Sequence, residues 1–158
     1  MIEPIPFAGL VEIDEDFMEA SLEKAIVIAA RYHANQVDKG NAPYIFHSLR
    51  VMMAMPDIES QIVGVLHDVV EDSDYNLSDL MADGFSENVI AALDAISRRP
   101  VEKYADFIER VADNPIAKIV KIADLRDNSN LGRIANPNEA DYSRCSKYEA
   151  ALEYLLES

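Results

Sequence analysis

Cysteine is nearly absent from this chain: Cys145 is the only one. A single thiol closes no internal disulfide, so the fold must rest on its core, and a cytoplasmic location is expected. Long apolar runs are also missing. No stretch of about 18 apolar residues occurs, which argues against a membrane-spanning helix or a membrane partner. The first residues, MIEPIPFAGLVEIDEDF, lack a basic start followed by an apolar run, so they do not read as a secretory signal. Glycine and proline are few, 5 and 7 in 158 residues, while 49% of the chain is apolar. That balance suits one packed helical domain over the whole of residues 1–158. Positive charge is scarce, with 14 Lys and Arg against 29 Asp and Glu and a net charge of −15. Such a surface repels a phosphate backbone, so nucleic acid is not an expected partner. A small anionic ligand would need a local cationic pocket. Lys39, Arg50, Lys121, Arg126, Arg133, Arg144 and Lys147 are the candidates to build one.

Apolar periodicity and capping signals predict an all-α bundle of about eight helices, without a confident strand. Residues 1–13 read as an irregular arm. Asp14 or Asp16 can cap a first helix to about Gln36, with Phe17, Leu22, Ala25, Ile26, Ala29 and Ala30 on its apolar face. A turn-rich loop, Asp38 to Pro43, leads to a short helix from about Phe46 to Met55. The next, about 58–72, is apolar nearly all round and should be central. Further helices are expected from Ser78 to Gly84, from Ser86 to about Ser97, and over about 102–112. Asn114-Pro115 is a cap followed by proline in the first turn, opening a helix to about Asn128. Asn136-Pro137 precedes the last helix, about 138–157.

The central helix carries the chemistry. It reads VGVLHDVVEDSD, an apolar segment that suddenly holds one imidazole and three carboxylates. At a spacing of four, His67 stands above Glu71 and Asp68 above Asp72. Burying such groups is costly unless they are paired or bind a metal. His47 lies upstream in PYIFHSLRV, and Asp124 downstream in IVKIADLRDN. Together His47, His67, Asp68 and Asp124 offer two nitrogens and two oxygens, a set that suits Mn²⁺, Fe²⁺ or Zn²⁺ better than Ca²⁺ or Mg²⁺. Lys121 lies three residues before Asp124 and can face the same cleft. Tyr44 follows Pro43 and either stacks on a base or fills the core. His33 reads as a structural histidine.

The order of these segments resembles the HD-domain metal-dependent phosphohydrolases, and more closely the hydrolase domain of the RelA/SpoT family and its small stand-alone alarmone hydrolases. Four segments carry the resemblance: HANQVDKGNAPYIFHSLRV (33–51), LHDVVEDSD (66–74), the stretch around Gly84-Phe85, and VKIADLRDN (120–128). The resemblance implies a Mn²⁺-dependent hydrolase that removes pyrophosphate from the 3′ position of guanosine tetra- or pentaphosphate, or of an adenosine counterpart. It implies Glu71 and Asp72 as the groups that act on the attacking water, and Asn128 as a contact to the nucleotide sugar. Another nucleotide as substrate, or a nucleotide sensor without catalysis, is the alternative. Two positions depart from the pattern. Asp38 stands where the family has an arginine that packs on the guanine ring, with only Lys39 after it. Leu125-Arg126-Asp127 replaces the Arg-Leu-His that precedes the family's asparagine. Aspartate cannot stack on a base as arginine does, so base recognition should differ.

Overall fold

A computed structural model describes residues 19–158. The expected arm, the caps Asp14 and Asp16, and Phe17 lie outside them. Nine α-helices are formed among the described residues: α1 Leu22–Tyr32, α2 Ile45–Met53, α3 Ile58–Leu66, α4 Val69–Asp72, α5 Leu77–Ala82, α6 Glu87–Ile96, α7 Tyr104–Ala112, α8 Pro115–Asn128 and α9 Glu139–Glu157. An isolated bridge between Val37 and Pro43 is the nearest thing to sheet among them.

Local chemistry sets most of the helix starts. The side chains of Ser21, Asp57, Asn76, Ser86, Asn114 and Asn138 each accept a backbone N–H of the helix that follows. Asn76 and Asn138 do so within complete capping boxes, with Asp79 and Asp141 returning the bond. Two expectations are corrected here. The first helix begins at Leu22 under the Ser21 cap and stops at Tyr32, rather than running from an upstream acid to Gln36. The short helix after Tyr75 is capped by Asn76 rather than opened by Ser78.

The expected helix 58–72 is divided. His67 and Asp68 keep right-handed dihedrals but stand in a turn between α3 and α4. The divide frees the pair to aim inward while α4 still carries Glu71 and Asp72 onward. As expected, α3 is central: Ile62, Val63, Val65 and Leu66 are all buried. It packs against α1, α2, α6 and α8, and α8 packs in turn against α2, α6, α7 and α9. Each such aliphatic side chain contributes about 1.5–3 kcal/mol on burial. That apolar frame is what offsets the cost of placing ionisable groups inside it.

One glycine sets the spacing between α2 and α3. A Cβ on Gly64 would stand 3.1 Å from the Met52 Cα and 3.2 Å from its nitrogen. The two helices therefore approach backbone to backbone, and the approach brings His47 on α2 within reach of His67 at the end of α3.

Candidate metal centre

Four side chains from three places in the chain converge on one point. His47 sits in the first turn of α2, His67 and Asp68 in the turn after α3, and Asp124 on α8. His47 Nε2 lies 3.5 Å from an Asp68 oxygen and 3.2 Å from an Asp124 oxygen. His67 Nε2 lies 3.1 Å and 3.6 Å from the same two oxygens. Four donors each about 2.1 Å from one cation, at octahedral or tetrahedral angles, stand about 3.0–3.5 Å apart. The spacing observed is the spacing a shared cation requires.

The tautomers agree. His67 Nδ1 lies 2.7 Å from the Gly64 carbonyl oxygen, which can only accept, so Nδ1 carries the proton. His47 Nδ1 lies 2.6 Å from Asp127, again an acceptor. In the neutral imidazoles each Nε2 is then a bare lone pair aimed at the common point. Both are buried, and neither finds a hydrogen bond. An unsatisfied buried nitrogen is costly, and two facing two carboxylates are the donor set of a transition-metal site. His47, His67 and Asp124 form a possible metal-holding group on geometry alone, and an Asp68 oxygen stands beside it, 3.1 Å from His67 Nε2.

Each carboxylate is fixed by a second group. Tyr44 donates its hydroxyl to Asp68 at 2.6 Å, so its ring neither stacks freely nor merely fills the core. Lys121 donates to Asp124 at 2.8 Å, and Asn128 donates to the other Asp124 oxygen at 2.6 Å. Lys121 and Asn128, expected beside the ligand, thus reach the centre through Asp124 while also lining the cleft. His33 is buried beneath Tyr44, with ring centroids 4.9 Å apart and Nδ1 2.9 Å from Gln36, in keeping with its structural reading.

Charge inside the cluster is tightly opposed. Burial works against the His47 imidazolium, yet Asp124 and Asp68 overcome it and hold the group up to about 9. Burial works against the ionised Asp124 and Asp68 as well, yet Lys121 and the imidazoles hold Asp124, and the imidazoles hold Asp68, well below the usual carboxyl range. These shifts describe the cluster without a cation. A divalent ion at the centre supplies the charge that the carboxylates otherwise draw onto the imidazoles as protons.

Glu71 and Asp72 stand on α4 just beyond the centre, both exposed. Glu71 lines the cleft and accepts the Arg98 backbone N–H at 3.3 Å; Asp72 lies outside its lining. Partial desolvation against the protein, though both side chains reach solvent, pushes both carboxyls up, and the Asp68 charge adds to it.

The cleft itself measures about 380 Å³, and six basic side chains line it: Lys39, Arg98, Lys121, Arg133, Arg144 and Lys147. Five of these were among the seven expected. Arg50 and Arg126 instead line a cleft on another face, and Arg50 turns onto Asp127. Arg98 was not foreseen; it sits in the break before α7, where sequence gives no hint of direction. The Arg98 guanidinium donates to the Glu102 carbonyl at 2.7 Å and lies 5.8 Å from the Tyr104 ring centroid, and Lys147 lies over the same ring at 4.2 Å. Burial, Arg98 and Lys121 together push the Lys147 ammonium down. Neither Arg98 nor Lys147 has a carboxylate partner among the described residues.

The departure at Asp38 is absorbed by the fold. One Asp38 oxygen accepts the Gly40 and Ala42 N–H groups at 2.8 and 3.0 Å, and the other pairs with Arg133 at 3.2 Å. A Cβ on Gly40 would stand 2.4 Å from the Arg133 carbonyl oxygen, so glycine is required for this loop to close on Arg133.

No family model matches the chain. Among curated proteins it is 28% identical to a GTP pyrophosphokinase of Streptomyces coelicolor, over 96% of this chain and 19% of that protein. It is 26% identical to a guanosine-3′,5′-bis(diphosphate) 3′-pyrophosphohydrolase of Aquifex aeolicus, over 76% of this chain and 20% of that protein. The chain thus spans about a fifth of the length of these relatives. A solved structure described as a metazoan ortholog of SpoT that hydrolyses ppGpp matches with a TM-score of 0.71 and 23% identity, covering 89% of this chain and 86% of that one. The all-helical HD-type fold and the RelA/SpoT-like resemblance drawn from the sequence are both borne out, and the chain shares the fold of that metazoan SpoT ortholog.

Proposed function

We propose that this protein is a metal-dependent phosphohydrolase that removes pyrophosphate from the 3′ position of a purine nucleotide alarmone, the guanosine or adenosine tetra- or pentaphosphate. The observation that carries the reading is the pair of buried Nε2 atoms, without a hydrogen bond, facing Asp68 and Asp124 at the floor of a cleft walled by six basic side chains. The floor fits a cation, and the wall fits a polyanion. In a chain of net charge −15, placing six of 14 basic residues around one cleft points to a phosphorylated ligand. The names of the relatives point to the same substrate.

His47, His67, Asp68 and Asp124 would hold the metal. Mn²⁺ is the proposed ion, with Fe²⁺ and Zn²⁺ compatible with the same donors. The ion would lower the pKa of the attacking water and draw charge from the phosphoryl oxygens. The remaining work belongs to the chain. One of Glu71 and Asp72 accepts the proton of the attacking water; the raised carboxyl of each makes it a better base than an ordinary carboxylate. Arg98, Lys121 and Lys147 hold the phosphate oxygens and offset the charge that gathers on them. Water oxygen bonds to phosphorus, and the bond from phosphorus to the ribose 3′ oxygen breaks. Its electrons stay on that oxygen, which takes up a proton, and pyrophosphate leaves. Cytoplasmic location accords with a nucleotide substrate and a lone buried thiol.

A second reading keeps the chemistry and changes the base. Asp38 cannot pack on guanine, and its carboxylate is fully used within the loop. A related phosphorylated nucleotide therefore remains a rival substrate. The deciding experiment measures phosphate and pyrophosphate release by metal-stripped protein resupplied with Mn²⁺. Guanosine and adenosine tetraphosphates, NADPH and deoxynucleoside monophosphates form the panel, with a Glu71→Ala/Asp72→Ala control. Pyrophosphate from a tetraphosphate, lost in the control, is expected. Binding of a tetraphosphate without turnover would make the chain a sensor and overturn the proposal.

A further inference from the structure

The two imidazoles of the centre are held from behind in different ways. His67 leans on a neutral acceptor, the Gly64 carbonyl of its own helix. His47 leans on a carboxylate that arrives from α8, 80 residues away in sequence. That carboxylate, Asp127, is one of the residues that depart from the pattern seen in the sequence.

Asp127 collects four side-chain donations. Its Oδ2 accepts from His47 Nδ1 at 2.6 Å, from Arg50 Nη2 at 3.0 Å and from Arg133 Nη2 at 3.1 Å, and its Oδ1 accepts from Arg50 Nε at 2.7 Å. Two guanidiniums on one carboxylate are more than its neutralisation needs. They make sense beside the centre. Asp68 and Asp124 already bring two negative charges to His47, and a third acid would be repelled by both. Arg50 and Arg133 offset that third charge and lock its orientation, since a guanidinium fixes a carboxylate by geometry as well as charge.

We infer that Asp127 is a positioning residue for the metal ligand His47, held there by Arg50 and Arg133. The inference rests on the metal-centre reading above. By accepting the Nδ1 proton, Asp127 keeps the His47 Nε2 lone pair on the metal side and makes that nitrogen a stronger donor. Arg133 extends the network to the mouth of the cleft. Its Nη1 holds Asp38, and Asp38 closes the 38–42 loop through Gly40 and Ala42. Two positions that depart from the family pattern, Asp38 and Asp127, are linked to each other through Arg133. Arg133 thus ties the loop beside the cleft to the carboxylate behind a ligand in its floor.

The test is Mn²⁺ affinity of the metal-stripped protein, by titration calorimetry, for the unaltered chain, Asp127→Ala and Asp127→Asn. Loss of an outer partner of a metal-bound histidine typically weakens binding about 10–100-fold. That loss is expected for Asp127→Ala, and a smaller one for Asp127→Asn, whose carboxamide oxygen still accepts but carries no charge. If the alanine variant does not fold, the asparagine variant carries the test. A second readout separates positioning from plain stability. Long-range proton–nitrogen NMR of the metal-free protein, at a pH where the imidazoles are neutral, should show His47 protonated at Nδ1. Asp127→Asn or Asp127→Ala should shift that balance toward Nε2. Unchanged Mn²⁺ affinity and an unchanged tautomer, even with a lowered melting temperature, would overturn the inference alone. Failure of the unaltered chain to bind Mn²⁺ would overturn the metal-centre reading and the inference with it.

Discussion

The two ends of the cleft are built by opposite means. At the floor, every ligand atom has a facing partner and every ligand side chain has a holder. Tyr44 holds Asp68, Lys121 and Asn128 hold Asp124, Gly64 holds His67 and Asp127 holds His47. At the far wall, two of the six basic side chains have no carboxylate partner among the described residues. Arg98 and Lys147 face the cleft with carbonyl and aromatic partners in place of carboxylates. The floor is therefore preorganised for one small cation. The wall is poised for an anion that arrives with its own charge. Under the proposed function, a polyphosphate substrate would bridge the two ends.

The largest break in that comparison comes from the floor. Asp124→Ala removes a ligand oxygen and leaves Lys121 as an unpaired, nearly buried cation. Mn²⁺ affinity in calorimetry should fall by more than the about 10–100-fold typical of outer partners. Turnover should fall with it. Next comes the group between the ends. Glu71→Gln and Asp72→Asn should leave Mn²⁺ affinity within about twofold and lower turnover about 10²–10⁴-fold in whichever residue is the base. Initial-rate assays at saturating metal separate the two.

The wall should respond differently. Lys147→Ala removes a charged donor, a loss of about 1.5–3 kcal/mol for a bond to a charged group. A rise in KM of about 10–100-fold is expected from that figure, with Mn²⁺ affinity unchanged. The KM of the unaltered protein should itself rise with salt, because the wall is open to solvent.

The smallest effect is one of pH on the floor without metal. His47 and His67 are raised in the fold, so their share of stability is complete below the usual imidazole value of 6.5 and is lost as pH rises toward about 9 for His47. Asp68 and Asp124 are lowered, so their share is present above the usual 3.8 and is lost only at strongly acid pH. Metal-free protein should therefore melt highest between about pH 4 and 6.5 and lose stability between 6.5 and 9. Melting curves across that range check this. Added Mn²⁺ should flatten the alkaline fall, because the ion takes the place of the protons.

The same contrast explains what could be read from sequence. The floor was legible because its donors sit in short, apolar helical contexts where a charge has no other reason to be. His67-Asp68 and Asp124 declare themselves by interrupting buried stripes. Asp127 did not, because it stands in a polar run and meets its imidazole only through the packing of α8 on α2. The wall was half legible. Lys121 follows from a helical spacing to Asp124, but Arg98 depends on how a loop before α7 turns. Arg50 shows the converse: its sequence neighbourhood suggests the cleft, yet Asp127 captures it. Helix boundaries differ from expectation where Ser21 and Asn76 cap α1 and α5, and at the turn that splits α3 from α4.

The most direct measurement titrates metal-stripped protein with Mn²⁺ and follows pyrophosphate release from guanosine and adenosine tetraphosphates in the same samples. Release that rises in step with bound metal and levels off at one ion per chain is the predicted result. Full turnover in the presence of excess chelator, or no release from either nucleotide at full occupancy, would contradict the account.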